Sequence, residues 1–66
     1  MERSNIAKRL VELRGGKSRE EVAKAIGITV RALESYENGT RVPRDAVKAQ
    51  ISKYYDTRVD LLFFTE

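Results

Sequence analysis

Apolar residues recur at helical spacing along almost the whole chain. Ile6, Leu10 and Leu13 fall at i, i+4 and i+7, and predict one face of a first helix. Ser4 is suited to cap its start. Gly15-Gly16 ends it, because glycine enters left-handed backbone cheaply and is poor inside helices. Ser18-Arg19-Glu20-Glu21 then reads as a capping box, in which hydroxyl and carboxylate satisfy free amides at a helix start. Val22, Ala23 and Ile26 line this second helix, and Gly27 closes it. Thr29 is the expected cap of a third helix with Leu33 and Tyr36 on its inner face. Asn38-Gly39 marks its end, and Thr40 to Val42 form a loop. Pro43 is expected to open a fourth helix, where its missing amide proton costs nothing. Val47, Ile51, Tyr54 and Tyr55 give that helix its inner face. Asp56-Thr57-Arg58 breaks the pattern, and Val59, Leu62 and Phe63 predict a short last helix. No strand pattern, repeat or linker interrupts the series. The expected fold is all-α, five short helices in one domain spanning residues 1–66.

Composition narrows this further. At 41% hydrophobic and 35% charged the chain suits a folded domain rather than disorder. It has no cysteine and no histidine, so disulfides and the usual zinc sites are excluded. Residues 1–44 carry ten Lys/Arg against six Asp/Glu (+4), and residues 45–66 carry three against four (−1). A basic surplus placed in one part of a chain suits a polyanion. No apolar run reaches the roughly 18–20 residues of a membrane span, and MERSNIAKRL has no apolar leader core. The expected location is cytoplasmic, with no membrane partner.

The stretch IGITVRALESYENG, residues 26–39, carries the chemistry. Only about three residues join the second and third helices, with glycine first. This is the spacing of a helix-turn-helix over residues 18–37. In that motif the second helix projects its N-terminal end into the DNA major groove. Val30 and Arg31 stand at that end, away from the inner-face residues Leu33 and Tyr36.

The chain resembles the phage repressor and Cro-type helix-turn-helix domains, the lambda-repressor-like fold. The resemblance runs from about Ile6 to Phe63. It rests on Ser18-Arg19-Glu20-Glu21-Val22-Ala23, Ile26-Gly27-Ile28-Thr29, Tyr36-Glu37-Asn38-Gly39 with Pro43, and Val59-Asp60-Leu61-Leu62-Phe63. It implies base contacts from Val30, Arg31 and Ser35. Arg31 suits a bidentate bond to guanine and Val30 a thymine methyl. It implies phosphate contacts from Ser18, Arg19, Thr29, Asn38, Thr40, Arg41 and Arg44, which set register without reading sequence. Arg19 stands where the family commonly has glutamine. Arg14 and Glu37 resemble the family's partly buried ion pair, although the turn after Arg14 is about two residues shorter than usual.

The implied function is sequence-specific binding of double-stranded DNA. The chain would be a small repressor of phage or mobile-element type, acting as a homodimer on a two-fold operator. Residues 57–66 offer a dimer contact through Leu61 and Phe64, since Leu62 and Phe63 fill the core positions. The same fold also serves protein-binding modules such as antitoxins and transcription adaptors. An enzyme is not expected: the acids are scattered, and Glu20 and Glu21 are explained by capping and the helix dipole. The tyrosines recur at core spacing rather than as a stacking platform. No cofactor, metal or small-molecule ligand is implied.

Overall fold

The computed structural model describes residues 3–63, with the backbone alone for residues 3 and 4. Five helices make up its regular structure: α1 (Arg3–Arg14), α2 (Arg19–Ile26), α3 (Val30–Glu37), α4 (Asp45–Tyr54) and α5 (Val59–Phe63). No strand occurs among the described residues. No helix among them is long and apolar enough to cross a membrane.

Each of the five helices contributes to one core. Ile6 and Leu10 come from α1, and Val22, Ala23 and Ile26 from α2. Leu33 and Tyr36 of α3, Ile51 of α4, and Leu62 and Phe63 of α5 complete it. Helix α3 packs on both α1 and α2, while α5 bridges α1 and α4. Arg9 fastens that bridge, its Nη1 donating to the Leu62 carbonyl at 3.0 Å. Helix α3 is therefore held from behind by two helices while its outer side stays open.

Three local expectations differ from the structure. Helix α1 begins at Arg3, so Ser4 lies inside its first turn rather than at its cap. Leu13 is 38% exposed, and Ala7 takes the buried place beside Ile6 and Leu10. In the last turn of α1 the place toward α3 is taken by Arg14, which bonds Glu37 at 2.8 Å, and Leu13 beside it is left at the surface. Helix α4 begins at Asp45 with Arg44 at its cap, so Pro43 precedes the helix rather than opening it. Pro43 is buried within the loop instead.

Two polar groups are drawn into the packing, one of them also paired, with Lys48 Nζ 3.8 Å from Asp45 Oδ1. Lys48 is buried on α4, its ammonium 5.6 Å from the centre of the Phe63 ring. Its long stem covers apolar surface in the manner of amphipathic side chains. The Tyr55 hydroxyl is buried without a hydrogen-bond partner among the described residues. Burial, reinforced by the negative charge of Glu37, pushes its pKa up to about 12.

Candidate nucleic-acid interface

The turn between α2 and α3 is built by three residues with distinct tasks. Gly27 takes φ +91°, a left-handed backbone that other residues adopt only under strain. This lets the amides of Gly27 and Ile28 both donate to the Ala23 carbonyl, at 2.9 and 3.0 Å. The Ile28 bond is the closing bond of a glycine-ended helix. Thr29 is extended, and its hydroxyl accepts from the Ala32 amide at 3.0 Å. Ser18 does the same for α2, accepting from the Glu21 amide at 3.1 Å. Both caps thus fix helix starts, and both hydroxyls are exposed.

Helix α3 divides sharply into two faces. Leu33, Tyr36 and Glu37 are buried. Arg31 and Glu34 are exposed, and Val30 and Ser35 are half-buried at the edges of the open face. Arg31 has no ion-pair partner among the described residues. Val30 also packs against the core cluster, so its isopropyl group is split between core and surface. The Ser35 hydroxyl donates back to the Arg31 carbonyl at 3.0 Å. That bond leaves the oxygen only as an acceptor. Glu34 is the residue that the motif did not single out. Its place three residues after Arg31 puts an acid on the same face, a signal that helical periodicity contains.

The loop after α3 is tied to the helix end. Asn38 Oδ1 accepts from the Thr40 amide at 3.0 Å and the Thr40 hydroxyl at 2.8 Å. The Thr40 hydroxyl also lies 3.3 Å from the Ser35 carbonyl. Its proton is used inside the loop, whereas the Asn38 amide nitrogen has no partner among the described residues. Arg41 is exposed and stacks over Tyr36, its guanidinium carbon 6.0 Å from the ring centre. Arg44 caps α4 with its backbone and makes no side-chain bond there.

The structure brings three of the expected phosphate-contacting residues together. Thr29, Arg41 and Arg44 border one open cleft of 460 Å³, with Gly27, Tyr36 and Gln50 also on its wall. The cleft lies beside the start of α3. Ser18 and Arg19 stand apart from it, at the start of α2.

Behind α3 lies an ion network. Glu37 is fully buried as a side chain and accepts from Arg14 Nε at 2.8 Å and from Arg19 Nε at 2.9 Å. Arg14 Nη1 also donates to the Lys17 carbonyl at 2.8 Å, and this bond closes the short turn after α1. The bond to Glu37 raises the Arg19 pKa further above its ordinary high value, so this side chain stays charged. The link between Arg19 and Glu37 was not part of the sequence expectation. Nothing in local spacing signals it, because it depends on how α2 crosses the end of α3.

On α5 and α1, Leu61 is 52% exposed and Leu13 38%. They share a shallow apolar groove with Arg9, Glu12, Thr57 and Leu62. Phe64 lies outside the described residues.

Comparison with known proteins agrees with this geometry. A family model described as helix-turn-helix matches residues 7–62. No curated protein matches the chain, and no solved structure does.

Proposed function

The chain belongs to the helix-turn-helix family as a DNA-binding transcription regulator of the Cro/repressor type, and from that premise we propose that it is a repressor acting as a homodimer on a two-fold symmetric operator. The observation that carries this reading is Arg31, exposed on the first turn of α3 and without an ion-pair partner among the described residues. A guanidinium held there suits the paired acceptors of guanine in the major groove. Val30 lies beside it for a thymine methyl, and Ser35 offers an acceptor one turn on.

Phosphate contacts frame the reading helix. Thr29, Arg41 and Arg44 supply one set from their shared cleft. Ser18 and Arg19 supply a second at the start of α2, and Asn38 and Thr40 follow along the loop. Binding of this kind occupies a promoter and blocks polymerase. One helix-turn-helix reads few base pairs, so a dimer on half-sites about 34–36 Å apart supplies useful affinity. The Leu13–Leu61 groove supports the dimer, and Phe64 is proposed to extend it.

The test is selection from a randomised duplex library followed by salt titration of the winners. The expected result is a two-fold site with half-sites about ten base pairs apart, bound with steep salt dependence. No enrichment, and no binding at low salt, would instead favour a protein-binding antitoxin or adaptor, for which the same apolar groove is the available surface.

A further inference from the structure

We infer that Glu37 is a positioning residue for DNA binding, holding Arg19 by its Nε so that the outer edge of the guanidinium faces a phosphate at the start of α2. The inference rests on the DNA-binding reading above. It begins from charge balance. One carboxylate is shared by two guanidiniums, with both of its oxygens engaged. The cluster is left with one positive charge in excess.

The geometry places that excess. Arg14 is 17% exposed and spends its Nη1 on the Lys17 carbonyl. Arg19 is 43% exposed, and its terminal nitrogens have no hydrogen-bond partner among the described residues. Glu20 and Glu34 lie close enough to favour the charged form of Arg19, but neither bonds to it. Arginine suits this double task because its planar fork separates Nε from the terminal donors. A lysine at the same place has one head, and to serve both it would have to bring carboxylate and phosphate, two anions, to the same nitrogen.

The arrangement also has a mechanical consequence. Glu37 closes the C-terminal end of α3, and Arg19 opens α2. A phosphate held by Arg19 is thereby linked through one buried carboxylate to the reading helix, so that backbone contact and base contact keep a common register.

Three variants test this on the selected operator duplex, at a temperature where each is folded by circular dichroism. Arg19→Ala is expected to reduce the slope of log affinity against log salt by about one unit while keeping the base preference. Glu37→Gln removes a negative charge, which on net charge alone would tighten binding to DNA. Positioning predicts the opposite sign, a loss of about tenfold. Arg19→Lys keeps the charge and the Arg14–Glu37 pair but is expected to weaken binding too. Unchanged or tighter binding by Glu37→Gln overturns the inference, as does an unchanged salt slope in Arg19→Ala. Should Glu37→Gln fail to fold, Arg19→Lys decides: full operator affinity there overturns the inference, and a loss supports it. A wild-type chain that binds no duplex removes the DNA-binding reading itself. A wild-type chain that binds well with silent Arg19 variants removes only this one.

Discussion

Arg31 and Arg41 are both exposed arginines in the basic part of the chain, yet their surroundings differ, and the proposed function assigns them different tasks. Arg31 stands on the open first turn of α3, while Arg41 lies over Tyr36 at the edge of the cleft. Arg31→Ala is expected to relax preference at one base position, with a loss of about 1–3 kcal/mol against the preferred base. Arg41→Ala is expected to weaken all duplexes about equally and to flatten the salt slope by about one unit. Competition binding with single-base operator variants distinguishes the two, and a uniform loss from Arg31→Ala would remove its role as a reader. Tyr55 yields a prediction about stability. Its pKa is pushed up to about 12, above the ordinary tyrosine value of 10.0. The folded state therefore holds this proton more tightly than the unfolded chain. That contribution is fully present below about pH 10 and is lost as pH rises through about 12. Tyr55→Phe removes both the unpartnered hydroxyl and this titration. It is expected to raise stability at neutral pH by about 1 kcal/mol and to flatten the alkaline limb of a denaturation series.

At the scale of elements, the two eight-residue helices α2 and α3 are too short to persist alone. They are defined by their ends. Ser18 and Thr29 fix the starts through bonds of 3.1 and 3.0 Å, and Gly27 fixes the corner. A Cβ on Gly27 would meet Gln50 Oε1 at 3.8 Å, an ordinary contact. Space is thus not the obstacle there; the left-handed φ is. Gly27→Ala is expected to destabilise the domain by about 1–2 kcal/mol, read as a lower urea midpoint with an unchanged slope. These ends are legible in the sequence because each depends on residues within about one turn. The exposure of Leu13 is not legible in the sequence, for the complementary reason. Its spacing fits a helical face, but the width of that face is set by where α3 lies.

For the whole molecule, the core is small and the stability margin correspondingly thin. The fold leaves two surfaces for the proposed contacts: the open face of α3 for DNA, and the Leu13–Leu61 groove on α1 and α5 for a second copy. The proposed dimer is tested by Leu61→Ser. Sedimentation is expected to shift from dimer toward monomer, while the thermal midpoint changes little, since an exposed side chain contributes within about 0.5 kcal/mol to folding. Equal self-association of both chains would remove Leu61 from the contact.

The sequence by itself determined the number of helices, the helix-turn-helix and its caps, and the open start of α3. It also named Arg14 and Glu37 together, through the resemblance that carries them. Those features rest on local hydrogen bonding and helical period, which neighbouring residues settle among themselves. Only the tertiary structure decided that Ala7 rather than Leu13 faces the core, that Arg19 shares the Glu37 carboxylate, and that Thr29, Arg41 and Arg44 meet at one cleft. Each of these depends on the angles at which separate helices cross, and spacing within any one helix carries no record of them.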